Sequence, residues 1–307
     1  MLFRSFQPVS KKEILKMKLS KLKKLAERLR LKKDNNKKLG YCMPPPALRD
    51  FPPDFPLLLD NEWGYPLGGW GGIRRGYSLT HNPVIFVHGN TRDASDWDEP
   101  RRSVKDKFLQ AGYSLQELWA VSYNGASQKA KLFPCRTDNT TNMLDIHDFI
   151  HAVIDYTGAD KVDIVAHSLG VTIARRIMLE DTNLYRIIDN FVAIAGPNHG
   201  TSACRWLEGV FVGCDEVHPG SAWLEEMNGP NGSLETGEPT RYITVYDGTG
   251  ADTFYQGDEV HSPRLKGAYN VTFPGLNHDE LRVSDESVSA YLNFLKKINE
   301  SRLRKTA

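Results

Sequence analysis

The sequence predicts an α/β fold, a doubly wound and mostly parallel sheet, and two observations carry that prediction. From residue 83 onward, short apolar runs alternate with segments of helical periodicity. The runs themselves, such as Val162 to Ala166, are β-branched and nearly uncharged, as strands buried on both faces are. A chain of 307 residues with 40% hydrophobic content can bury one such core and still leave residues for a tail or a lid.

Each element follows in order. Val84 to Val87 is an apolar strand introduced by Pro83. Ser103 to Ala111 has helical spacing and stops at Gly112, and Leu118 to Tyr123 is the next strand. Ile146, Phe149, Ile150, Val153 and Ile154 form one helical stripe that ends at Gly158. After the strand at Val162 to Ala166, the residues Val171, Ala174, Ile177 and Met178 recur at helical spacing, and Phe191 to Ala195 is a further strand. From Gly196 to Pro239 the alternation breaks, in a stretch rich in Gly, Asn and Pro. It resumes with strands at Tyr242 to Tyr246 and Tyr269 to Phe273, and closes with a helix from about Ser284. Right-handed crossovers place every loop that follows a strand on one edge of such a sheet.

Three parts are expected: a basic helical tail at 1–40, a proline-rich connector at 41–64, and a catalytic domain at 65–300 with an insertion at about 201–240. The formal charge of +1 conceals the tail, where 14 Lys and Arg face three acids, a net of +11 that leaves −10 for the remainder. Leu15, Leu19, Leu22, Ala26 and Leu29 step by four and three, so residues 11–33 read as an amphipathic helix. Its basic faces suit an anionic membrane or interface, and the alternatives are pairing with another helix or a solvated appendage that folds back on the body. No aromatic residues interleave with the lysines, so a nucleic-acid partner is not expected. No apolar run reaches membrane-spanning length, and the N-terminus shows no signal-peptide core.

Cys42, Cys135, Cys204 and Cys214 are too scattered for a zinc site of the CxxC type. A Cys204–Cys214 disulfide would close a short loop, and free buried thiols are the alternative. His147 and His151 have helical metal-ligand spacing, but no third ligand suggests itself, so solvated histidines are expected and neither metal nor cofactor.

The chemistry concentrates in V-D-I-V-A-H-S-L-G-V-T, residues 162 to 172. Ser168 sits where strand gives way to helix, a turn tight enough to need small neighbours, and Ala166 and Gly170 are those neighbours. Two more polar clusters fall on the same sheet edge: His88-Gly89-Asn90 after the Val84 strand, and Asn277-His278-Asp279 after the Tyr269 strand. Asp247 and Asp252 lie between serine and histidine, giving the chain order Ser, Asp, His of an α/β-hydrolase. In that arrangement His278 takes the proton of the Ser168 hydroxyl, and an aspartate fixes the imidazole tautomer. The backbone N–H groups of Leu169 and Asn90 would meet the oxyanion. Asp252 is favoured as the acid over Asp247, whose Asp-Gly pair also reads as a turn, with Asp258 third.

These residues resemble the class 2 lipases of bacteria and, more closely, extracellular polyhydroxybutyrate depolymerases with a lipase-type box. The carrying segments are G-G-W-G-G (68–72), N-P-V-I-F-V-H-G-N (82–90), R-S-V (102–104), the serine box (162–171) and A-G-P-N-H-G-T (195–201). The likeness covers roughly residues 65–295. It implies Ser168 as nucleophile, His278 as base, Asp252 as acid through its Ala251-Asp252 step, and Asn90 and Leu169 as oxyanion donors. It also implies secretion, at odds with the absence of a visible signal peptide, and the depolymerases' insertions do not match residues 202–240.

The expected function is a serine carboxylic-ester hydrolase acting through an acyl-enzyme on lipid esters or aliphatic polyesters. Polyhydroxyalkanoate depolymerisation, acyl transfer or thioester cleavage on the same triad, and a catalytically silent binder are the alternatives. His88 and His167 are expected to hold loop geometry. His199 reads as structural or substrate-contacting, and Trp206 and Trp223, with Phe211, as either an acyl-pocket lid or a satellite core. Trp63, Tyr65 and Trp70 share that ambiguity.

Overall fold

A computed structural model describes residues 48–61, 64–123, 139–204 and 212–306. The basic helix of residues 11–33 lies outside them, as do Cys42, Trp63, Cys135, Trp206 and Phe211. Among the described residues, no helix is long and apolar enough to cross a membrane.

Eight strands form one sheet: β1 (Arg49–Asp50), β2 (Gly68–Gly71), β3 (Val84–Val87), β4 (Leu118–Ser122), β5 (Val162–His167), β6 (Ile188–Ile194), β7 (Arg241–Tyr246) and β8 (Tyr269–Thr272). Their order is β1-β2-β4-β3-β5-β6-β7-β8. Only β2 runs against its neighbour β4; the other pairs are parallel. Strands β3, β5 and β6 are buried along their whole length, as their apolar runs predict.

Helices cover both faces. On one side, α2 (Asn139–Thr157) and α3 (Leu169–Glu180) follow β4 and β5, and Phe149, Val153, Ile173 and Ile177 pack with Ile85, Val87 and Ile164. On the other, α1 (Val104–Gln110) and the closing helix α8 (Asp285–Thr306) pack Phe108, Tyr291 and Leu295 against Val84, Phe86 and Ile243. Three shorter helices, α4 (Leu184–Ile187), α5 (Val212–Val217) and α6 (Ala222–Asn228), precede β7, and α7 (Glu280–Val283) precedes α8. Asp163 of β5 and Asn190 of β6 pair at the far end of the sheet, where Asp163 accepts from Asn190 at 2.6 Å and from Asn82 at 3.2 Å.

From residue 48 onward the proline-rich connector joins the sheet. Arg49–Asp50 adds a parallel edge strand to β2, and Phe55 is buried against Trp119 at a ring separation of 5.1 Å. Its prolines admit an edge strand, where missing N–H groups do no harm. Strand β2 is a glycine-rich run without the alternation by which strands are recognised. Gly69 and Gly71 are required there, since a Cβ on either would fall within 2.7 Å of β4 backbone. The irregular stretch after β6 holds α5 and α6, and Cys204 and Cys214 are joined in a disulfide.

Candidate active site

Ser168 ends β5 at φ 55° and ψ −129°, a conformation that L-residues avoid. Its N–H donates to Ile194 O at 2.8 Å and its carbonyl accepts from Val171 N at 3.0 Å, so the chain on both sides holds the turn. The space around it is as tight as the sequence suggests. A Cβ on Gly170 would lie 2.4 Å from His88 O, and one on Gly89 would lie 2.9 Å from Ser168 Cβ. The half-buried hydroxyl makes no capping bond to its own helix.

His278 stands in the loop between β8 and α7, and its Nδ1–H donates to Asp252 Oδ2 at 2.8 Å. Asp252 is buried, and its other oxygen accepts from Phe254 N at 3.1 Å. With its proton held on Nδ1, His278 keeps the Nε2 lone pair free to act as a base. Its carbonyl accepts from His167 Nε2–H at 3.0 Å, and the two rings lie 4.7 Å apart, so the residue just before Ser168 fixes the histidine loop. Among the described residues, no hydrogen bond joins Ser168 to His278; such bonds are commonly long until substrate arrives.

Asp247 does different work. Its Oδ2 accepts from the N–H groups of Thr249, Gly250 and Ala251 at 2.9, 2.6 and 2.8 Å, and its Oδ1 from Gly275 N at 2.6 Å. Burial alone would raise its pKa, but these donors outweigh it and hold the carboxyl at about 2. The ionised side chain folds the loop after β7 so that Asp252 faces inward, and ties it to the loop after β8. Asp258 pairs with His261 instead, at 3.3 Å.

The proposed oxyanion donors occupy the expected loops. Leu169 is the first residue of α3, so its N–H has no intrahelical acceptor, and Asn90 follows β3 on the exposed side. His88 braces this loop. Its Nδ1–H donates to Gly89 O at 2.7 Å, Nε2 accepts from Tyr123 N at 3.3 Å, and the two rings stack 3.8 Å apart. Burial brings the His88 pKa down to about 4.

That burial carries a prediction. The folded state keeps His88 neutral, whereas the unfolded chain protonates it below about 6.5, so the unfolded state binds more protons and stability falls as pH drops from 6.5 towards 4. Asp163, pushed up to about 7 chiefly by burial, has the opposite sign in the same range, so the variant His88→Asn isolates the effect. Wild type loses up to about 3 kcal/mol relative to the variant between pH 6.5 and 4, measured by urea unfolding. A stability gap that stays constant across that range would show His88 to be solvated.

The family model for lipase (class 2) matches residues 81–305. The chain belongs to the class 2 lipase family. Solved structures agree on the fold. The mature form of the Bacillus licheniformis lipase BlEst2 superposes with a TM-score of 0.56 at 14% identity, covering 75% of this chain and 97% of that one. The Pyrococcus furiosus esterase Pf2001 gives 0.53 at 18% identity, over 83% and 99%. Aspergillus fumigatus lipase B gives 0.54 at 15% identity, over 70% and 52%.

For other residues of this class 2 lipase the sequence leaves two readings open, and the structure gives each its partners. His199 donates Nδ1–H to the carbonyls of His261 and Ser262 at 3.1 and 3.2 Å and turns Nε2 to Glu235 at 3.2 Å, so both ring nitrogens are engaged by protein. Trp223, on α6, donates to Thr140 at 3.3 Å and stacks on Arg176 at 5.5 Å, which places it in packing behind α3. Residues that local reading missed include Arg92, which binds Asp279 beside His278 at 2.9 Å and so joins the oxyanion loop to the histidine loop. Arg282 is fully buried, 3.0 Å from Glu99. Phe254 is exposed with its ring 4.4 Å from that of His278. No local motif marks any of the three, because their partners are distant in the chain.

Proposed function

We propose that this lipase-class α/β-hydrolase cleaves carboxylic esters of lipids or aliphatic polyesters through an acyl-enzyme on Ser168. The observation that carries the reading is the 2.8 Å bond from His278 Nδ1 to buried Asp252, on the loop held against a strained strand-to-helix serine. Ser168 Oγ attacks the ester carbonyl carbon while its proton passes to His278 Nε2. The charge that develops on the carbonyl oxygen is met by the N–H groups of Leu169 and Asn90, each contributing about 3 kcal/mol to the transition state. Collapse expels the alcohol, which takes the proton from His278. Water, deprotonated by His278, then attacks the acyl-enzyme, and the acid leaves as Ser168 is restored. Asp252 keeps its bond to Nδ1 throughout and stabilises the imidazolium.

Apolar acyl groups are favoured by Phe254, an exposed aromatic ring against the base. The Cys204–Cys214 disulfide suits an oxidising compartment, where an ester hydrolase meets external substrate. The test is labelling with a fluorophosphonate, expected to reach one equivalent at Ser168, together with initial rates on p-nitrophenyl esters of rising chain length, emulsified triglyceride and a poly(3-hydroxybutyrate) suspension. Rates that rise with chain length and include triglyceride support a lipase, and rates confined to short esters and polymer support a depolymerase cleft. Absence of labelling and of all hydrolysis overturns the reading in favour of a silent binder.

A further inference from the structure

A second cluster lies away from the serine. The solvated-histidine reading of His147 and His151 needs correction, because His147 is buried and a third ligand does stand beside them. Asp181, the residue that ends α3, comes from the neighbouring helix, and one ligand atom from each of the three residues lies within 4.8 Å of the others. The helix places roughly 20 Å between Ser168 and Asp181, at 1.5 Å per residue.

The hydrogen bonds leave these groups arranged for a cation. His147 Nδ1 faces Asp148 Oδ1 at 3.2 Å, and Nε2 is the nitrogen that points inward to Asp181. Nε2 is buried without a hydrogen-bond partner, and the nearest acceptor, Asp181 Oδ2, is 3.5 Å away. A ring nitrogen and a carboxylate oxygen that face each other in a buried place need a positive charge between them, a proton or a cation. Asp181 Oδ1 is already used by Asn183 N at 3.2 Å, so Oδ2 is the oxygen left for that charge. His151 completes the group with its ring 4.6 Å from that of His147.

We propose that His147, His151 and Asp181 bind a divalent cation of the zinc class, with water completing the coordination, and so fasten α2 to the end of α3. Two imidazoles and one carboxylate suit zinc and its neighbours, whereas calcium and magnesium take oxygen ligands. Ligand atoms around tetrahedral zinc stand about 3.3 Å apart, so closure needs a movement of about 1.5 Å, within reach of rotamer adjustment. The site is structural, since it lies a helix length from the serine.

The experiment uses the full chain after chelator treatment, titrated with zinc chloride and, in parallel, cobalt chloride. Zinc at a hundred times its Kd is expected to raise Tm by about 5 °C or more, and cobalt to give the intense visible absorption of tetrahedral nitrogen and oxygen ligation. His151→Ala and Asp181→Asn are each expected to weaken zinc at least about tenfold. Ester hydrolysis should change less than about twofold on metal loading, which keeps this result separate from the fate of the serine mechanism. A Tm that zinc leaves unmoved, or moves equally in wild type and His151→Ala, overturns the site and leaves a proton as the charge between His147 and Asp181.

Discussion

Replacing Ser168 by alanine is expected to lower kcat for p-nitrophenyl ester hydrolysis by at least about 10⁴-fold and to abolish fluorophosphonate labelling. The hydroxyl makes no capping bond, and its loss removes a single oxygen from a half-buried position, so Tm should stay close to that of wild type. The backbone provides a second arm. At φ 55° alanine is as strained as serine, whereas glycine is not, so Ser168→Gly should be equally inactive yet more stable than Ser168→Ala by about 1 kcal/mol. An alanine variant that folds and keeps full activity would refute the acyl-enzyme.

The second large effect separates two aspartates five positions apart. Asp252→Asn keeps the shape of the side chain but turns the carboxylate that accepts from His278 into an amide, which can hold the imidazole in the wrong tautomer. Its kcat is expected to fall by about 10³- to 10⁴-fold with little change in Tm. Asp247→Asn acts on the fold instead. An amide nitrogen cannot accept, so the donors now on one of the two oxygens lose their acceptor, whether Gly275 N with the Thr249 hydroxyl, or the N–H groups of Thr249, Gly250 and Ala251. A loss of about 2–3 kcal/mol in unfolding free energy follows, with a smaller and indirect effect on kcat. If the two variants exchanged these behaviours, Asp247 would be the group that orients His278.

Much of this could be read in advance from local pattern. Strands β3, β5 and β6 are continuous apolar runs because both of their faces are covered, and their boundaries fall within a few residues of the expected ones. Ser168 was legible because a strand-to-helix turn needs small residues at Ala166 and Gly170, a constraint carried by neighbours in the chain. His278 was legible from its place after the last strand. The edge was harder. Strand β2 is made of glycines around Trp70, and β1 lies among prolines, so neither shows the alternation by which strands are recognised.

The sequence by itself determined the six strands from β3 to β8, their order along the chain and the edge on which serine, aspartate and histidine gather, because periodicity and loop placement are local properties. Only the tertiary structure decided which partner each polar group takes. Asp252 reaches His278 across 26 residues, His167 holds the carbonyl of a residue 111 positions away, and Asp181 meets two histidines from another helix. Each of these choices depends on which loops and helix ends the packed sheet brings within a few ångströms, and on which buried charges must then find a partner.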